Sequence, residues 1–175
     1  MTRRLSLIMA FAAFCSAMSL SEGAAPVLRQ RTLTGLSKVA VVIEPLRPDV
    51  ADRVISAAQL KADVQERLRK AGLQPTENVG APYVCVTVNS VKAGDKQWVF
   101  AIDVTFRDLV RLDRDTTCST LATTWKTGGM LTLENDSLAK LRDSVLAYVE
   151  AFALDYTASN TKINPAHSTS MKPQH

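Results

Sequence analysis

Two neighbouring segments of the chain carry β-branched or aromatic residues at every second position. In residues 83–91, Val84, Val86 and Val88 share one face, and in residues 98–106 every second residue is an aromatic, Ile or Val. A period of two with β-branched and aromatic residues predicts half-buried β-strands. Ala93-Gly94-Asp95-Lys96 lies between the segments and predicts a hairpin turn.

Two further strands are predicted around this hairpin. Residues 39–43 form a continuous apolar run that Pro45 and Pro48 end, which is typical of a buried strand. After a reversal at residues 113–115, residues 117–126 form a Thr-rich strand in which Leu121 and Trp125 are expected to point inward. Gly128-Gly129 is predicted to break or bend that strand.

Two amphipathic helices complete the pattern. Ser56 and Gln59 match a capping box before residues 57–71, whose apolar positions fall on one face until Gly72 ends the helix. Asn135-Asp136 precedes a second helix predicted for residues 137–156, with an apolar stripe at helical spacing. The order β-α-β-β-β-α predicts an α+β domain over residues 38–156. We expect a two-layer sandwich, a four-stranded mostly antiparallel sheet with two helices on one face.

The first 25 residues have the pattern of a secretory signal peptide. Arg3 and Arg4 precede an uncharged apolar stretch at residues 5–15 that is too short to span a membrane, and small residues follow up to Ala25. We expect cleavage within residues 19–25 and a periplasmic or secreted product; an uncleaved anchor or a buried helix is the alternative. Phe14 before Cys15 argues against lipid attachment.

The segments outside the domain are polar. Residues 26–37 are interpreted as a short lead-in, and residues 157–175 as a disordered tail because they contain few apolar residues.

Composition excludes several classes of function. The chain has 175 residues, 46% hydrophobic and 22% charged, with a formal net charge of +4. Removing the leader lowers the net charge by one. The remaining positive charge is too small to predict a nucleic-acid partner. No later segment has 18 consecutive apolar residues, so the mature chain is not predicted to be transmembrane.

Cys85 and Cys118 remain after leader removal. A hairpin turning at Gly94-Asp95 places Cys85 opposite Val104, and a second turning at Arg114 places Cys118 opposite Val110. These levels are too far apart for a disulfide, so a simple meander predicts two free thiols, although an oxidising compartment favours a bond.

Candidate catalytic chemistry is sparse. Both histidines, His167 and His175, lie in the polar tail, so we predict no histidine-dependent catalytic site, no metal site and no cofactor. The candidate carboxylates are Glu44, Asp103 and the turn residues Asp113 and Asp115, and their positions predict no convergence on one site. We expect a non-catalytic protein; a histidine-independent enzyme that uses carboxylates or Cys85 is an alternative.

Three features are candidates for binding. A basic surface on the first helix consists of Arg53, Lys61, Arg67, Arg69 and Lys70. It suits anionic lipid or glycan, but the interspersed Asp63 and Glu66 also fit an ordinary solvated face. The outer sheet face is expected either to stay solvated or to bind a partner. It is predicted to carry Tyr83, Thr87, Val99, Ala101, Thr105, Thr120, Ala122 and Thr124. An open sheet edge can also accept a partner strand.

The order of elements resembles small exported bacterial envelope domains, including the lipopolysaccharide-assembly lipoprotein type. The matching stretch, residues 39–156, has an apolar first strand, a basic capped helix ending at Ala71-Gly72-Leu73, three strands and a final helix. The resemblance is one of architecture and assigns no functional residues. It implies an envelope role, and we expect a protein that binds another periplasmic or cell-surface component.

Overall fold

The computed structural model describes residues 29–51, 54–78, 80 and 82–161. The strands are β1 (Lys38–Ile43), β2 (Gln74–Thr76), β3 (Tyr83–Ala93), β4 (Gln97–Leu112) and β5 (Asp115–Glu134). The helices are α1 (Pro48–Ala51), α2 (Ala57–Lys70) and α3 (Lys140–Asn160), with a 3₁₀ turn at Asn135–Ser137 before α3. The predicted leader and most of the predicted tail lie outside the described residues.

The sheet is mixed and has five strands in the order β2-β1-β3-β4-β5. β1 is parallel to both β2 and β3, whereas β3, β4 and β5 are antiparallel. The prediction of a four-stranded, mostly antiparallel sheet with the order β-α-β-β-β-α is therefore wrong, although the α+β sandwich character holds.

The missed strand, β2, explains most of this error. It has only three residues, too few to show an alternation, and it contains Pro75. Proline is tolerated there because β2 lies at the edge of the sheet, where its missing N–H removes no hydrogen bond between strands. With β1 and α2 it completes a parallel crossover, in which a helix joins two parallel strands.

The predicted first helix is confirmed to within one residue. α2 begins after Ser56, whose hydroxyl accepts a hydrogen bond from the Gln59 N–H at 3.1 Å, and Gly72 follows its end with φ +90°. α3 begins three residues later than predicted, after the 3₁₀ turn, and continues to Asn160. Both helices pack on one face of the sheet, since their buried residues and those of the strands form one cluster.

β5 continues unbroken through Gly128-Gly129, so the predicted break there is wrong. Both glycines are needed because neighbouring groups come very close. A Cβ on Gly128 would collide with the backbone carbonyl of Ile102, and one on Gly129 would collide with the Tyr148 hydroxyl. The glycines keep β5 against β4 and leave room for α3.

The hairpin registers also differ from the prediction. Gly94, with φ +81°, lies in a three-residue turn that places Cys85 opposite Thr105 and not Val104. In β5 the extra residue Thr124 forms a bulge between the pairs Phe106–Trp125 and Arg107–Thr123. Trp125 therefore points inward as predicted, whereas Leu121 lies on the opposite face and is exposed.

An aromatic cluster joins β4, β5 and α3. The Phe152 ring packs edge-on against Trp125 at 5.0 Å and lies 5.9 Å from Phe106. The Trp125 indole N–H donates to Asp155 at 2.9 Å, so the polar atom of this buried ring is satisfied. The same carboxylate accepts from Arg29 and Gln30, which holds the start of the described chain against α3.

The segment predicted as a polar lead-in contributes to the core. Leu33 is fully buried in the main hydrophobic cluster, and residues 29–31 form a helical turn beside it. The segment shows no periodicity because its described residues contribute only two apolar side chains, the buried Leu33 and the partly buried Leu36.

A charged contact ties α2 to α3 above the core. Arg142 donates twice to Asp63, each time at 2.7 Å, and the Asp63 side chain is only 11% exposed. The Arg142 hydrogen bond holds the pKa of Asp63 below its ordinary value, against the opposing effect of burial.

Replacing Gly129 by alanine is expected to lower the free energy of unfolding by about 1–3 kcal/mol, because the new methyl group meets the Tyr148 hydroxyl. Gly129→Ala/Tyr148→Phe should recover part of the loss, measured by chemical denaturation against Tyr148→Phe alone. Gly128→Ala is the matched control: it meets backbone, so Tyr148→Phe should not rescue it. Equal rescue of both glycine variants would show that β5 is placed wrongly.

Asp63→Asn is expected to lower the free energy of unfolding by about 1 kcal/mol at pH 7, since it weakens a bidentate pair. The folded-state pKa of Asp63 lies below its unfolded value, so this stabilisation is complete above the unfolded value. It is lost as pH falls through the folded value. Denaturation curves should therefore converge below about pH 4. Asp113→Asn, in an exposed turn, is the control; a difference that persists at pH 2 contradicts the assignment.

Candidate functional site on the outer face of the sheet

The predicted basic surface on α2 is largely neutralised by neighbouring acids. Three of its five members form ion pairs, namely Lys61–Glu77, Arg67–Glu150 and Lys70–Glu66, each at 2.7 Å. Lys61 lowers the pKa of Glu77 through a hydrogen bond, and Arg69 contributes electrostatically. Arg53 lies outside the described residues. These pairs favour the interpretation of this surface as a solvated face.

A groove borders the basic surface where the end of α2 meets α3. It encloses about 510 Å³ and is lined by Arg67, Lys70 and Glu150 together with Leu154, which is exposed. The Arg67–Glu150 pair lies in its wall, so the groove offers little uncompensated charge to an anionic ligand.

The side of the sheet opposite the helices, called the outer face, has a polar centre. Here the Lys126 ammonium pairs with Asp103 at 2.8 Å across β4 and β5. Arg107 stacks over the Tyr83 ring and donates to its hydroxyl at 3.4 Å. Asp103 and Lys126 are thus engaged with each other, and Arg107 is engaged with Tyr83.

Cys85 belongs to the same band, and its thiol is poorly suited to nucleophilic attack. Its Sγ lies 3.7 Å from Glu44 Oε1, and the residue is almost fully buried. Burial and then the negative charge of Glu44 raise the pKa of the Cys85 thiol, with Arg107 opposing. Cys118 is exposed on β5, and both cysteines are free thiols, as the meander predicts.

An apolar patch occupies the outer face at the end nearest the β3–β4 turn. We call Val91, Val99, Ala101 and Met130 the outer patch. Val91 lies directly opposite Val99, and Ala101 directly opposite Met130. Val91 is 63% exposed and Met130 80%. Four apolar side chains on three adjacent strands thus form one continuous surface that faces solvent.

The opposite end of the outer face extends beyond β3. The last residue of β4 that pairs with β3 is Arg107, so residues 108–122 form a two-stranded ribbon. Leu109 and Leu121 pair on its outer side and are both exposed. The Thr124 bulge causes this exposure, since it reverses the facing of every earlier β5 residue.

The sequence placed the outer face correctly on β3 and β4 but not on the part of β5 that precedes the bulge. Tyr83, Thr87, Val99, Ala101 and Thr105 lie where predicted, whereas Thr120 and Ala122 pair with Val110 and Asp108 on the other side. Val91 and Met130 were missed as surface residues. The signal for Val91 was present in the alternation of β3, but that for Met130 was hidden by the expected break at Gly128-Gly129.

Two further kinds of site have no candidate in the described part of the chain. No group of three or more His, Cys, Asp or Glu residues there could hold a metal ion. No helix within those residues is both long and apolar enough to cross a membrane.

No protein-family model and no curated protein matches the chain. Among solved structures it is similar to a PelC dodecamer from Paraburkholderia phytofirmans, with a TM-score of 0.38 and 13% identity over 70% of this chain and 86% of that one. It is also similar to a minor lipoprotein from Acinetobacter baumannii, with a TM-score of 0.32 and 14% identity over 71% of this chain and 90% of that one. Function is therefore inferred from the chain's own surfaces.

Proposed function

We propose that this chain is an exported, non-catalytic envelope protein that binds another periplasmic or cell-surface component through its outer patch. The exposure of Val91 and Met130 beside Val99 and Ala101 carries the proposal. Continuous exposed apolar surface on a folded protein marks an interaction site more often than scattered single residues do.

Export is supported by the leader pattern of residues 1–25, in which Arg3 and Arg4 precede an uncharged apolar stretch and small residues follow.

The rim of the outer patch suits a protein partner. Asn89 and Thr132 flank it with exposed polar side chains, and the charged Asp103–Lys126 pair lies next along the face. An apolar centre with a polar rim is the usual anatomy of a protein–protein interface. We therefore favour a protein component over lipid or glycan, for which the ion-paired basic surface of α2 offers less.

The non-catalytic assignment is supported by the state of the candidate groups. Asp103 is paired with Lys126, and Glu44 faces the buried Cys85.

A photo-crosslinking residue at Val91 in living cells is expected to capture an envelope protein, because this side chain lies in the outer patch. Position Lys70 on the basic surface of α2 is the matched control and should give no comparable adduct. Val99→Lys, which charges the patch beside the probe, should abolish the Val91 adduct without lowering the melting temperature by more than a few degrees. Capture from Lys70 alone would overturn the proposal.

Cys85 should react slowly with iodoacetamide in the native protein at pH 7.5, at least tenfold slower than Cys118, because it is buried and its pKa is raised. The rates can be followed by mass spectrometry of the cysteine-containing peptides, with Cys118→Ser to isolate the Cys85 signal. Preferential labelling of Cys85 would instead favour the histidine-independent enzyme.

A further inference from the structure

The outer edge of β5 presents backbone groups suited to another strand. Within the described residues, β5 is the last strand on this side of the sheet. The Asn135 N–H donates to the Lys96 carbonyl, and the Lys126 carbonyl accepts from the Arg29 side chain. The odd-numbered positions of this stretch therefore bond toward β4, and the even-numbered positions face the open edge.

Both ends of this open stretch are defined. At one end Thr32 donates to the Thr124 carbonyl, so the start of the described chain covers the edge there. The Arg29 side chain reaches the Lys126 carbonyl, which keeps a second lone pair for a partner strand. At the other end β5 stops at Glu134 and turns into the 3₁₀ segment. The stretch from 126 to 134 has Met130 at its centre.

This stretch is complementary to itself in the antiparallel direction. A two-fold axis at Met130 places Met130 opposite Met130 of the second copy, Gly128 opposite Thr132, and Lys126 opposite Glu134. All these positions are even-numbered, so their backbone groups face each other as hydrogen-bonded pairs. We propose that the edge of β5 binds a second copy of this chain, joining two sheets into one.

Charge selects this register over its neighbours. Directly opposite cross-strand side chains of opposite charge stabilise pairing, and this register forms two Lys126–Glu134 pairs, one on each side of the axis. Shifting the axis by one residue in either direction places Lys126 opposite Thr132 or beyond the end of the strand. Lys126 is 58% exposed, and its ammonium has three donors, so its pair with Asp103 leaves it able to bind Glu134 of the second copy.

The same register covers apolar side chains on both faces. Leu131 and Leu133 are only partly buried at the margin of the core, and the inner side of the partner strand would lie against them. On the outer face the two Met130 side chains meet at the axis, which joins the two outer patches. The dimer rests on the edge of β5 and does not depend on the partner of the proposed function.

Charge-reversed variants test the register, and every variant is meant to keep the fold of the wild-type chain. The protein, purified after expression of the full chain, is expected to sediment as a dimer at 100 μM. Glu134→Lys and Lys126→Glu should each raise the dissociation constant at least tenfold, because each homodimer then opposes like charges. Mixing the two variants should restore dimers, since both cross-strand pairs reform between unlike chains. Melting curves of each variant alone verify folding.

A second substitution tests the backbone pairing. Met130→Pro removes the central outward N–H at an edge position that tolerates proline, and it should abolish the dimer. Val91→Lys, in the outer patch but on β3, should leave the dissociation constant within twofold. A wild-type chain that remains monomeric at 100 μM overturns the proposal, as does a dimer that survives Met130→Pro or a mixture of folded charge variants that stays monomeric. Crosslinks from Val91 to another protein would be unaffected by these outcomes, so the two proposals fail separately.

Discussion

The close pairing of β4 with β5 is the contact on which the other features depend. It runs from the pair Gln97–Glu134 to the pair Leu112–Asp115, and it persists through Gly128-Gly129 because no side chain there keeps the strands or α3 apart. This continuity brings Trp125 under α3, where Asp155 satisfies its N–H. It also sets the register in which Met130 lies beside Ala101 on the outer face.

The two faces of the sheet have different physical roles. The inner face is covered by α2 and α3, which pack around one hydrophobic cluster. On the outer face Asp103 and Lys126 form an ion pair, and the apolar outer patch is exposed to solvent. The basic surface of α2 was a candidate because of its charge alone, and three of its five basic residues form ion pairs with neighbouring acids. Local compensation of charge therefore moves the functional hypothesis from the helices to the sheet, where apolar area is exposed.

Long periodic segments were predictable and short or exceptional ones were not. The alternation of β3 and β4 and the cap at Ser56 specify their elements locally, so their positions followed from the residues alone. β2 is a strand only because β1 lies beside it, and Gly128-Gly129 is tolerated only because of its neighbours. The Thr124 bulge likewise depends on pairing with β4, which is why Leu121 was assigned to the wrong face. Met130 was missed because the strand was expected to break at the glycines.

Amide hydrogen exchange along β5, measured by NMR in a solution dilute enough to keep the chain monomeric, tests this continuity most directly. The amides of residues 127, 129, 131 and 133 should exchange slowly because they bond to β4, while those of residues 128, 130, 132 and 134 exchange fast. Fast exchange of every amide from Gly128 onward would show that the strand ends at the glycines. In that case neither the outer patch nor the open edge exists as described.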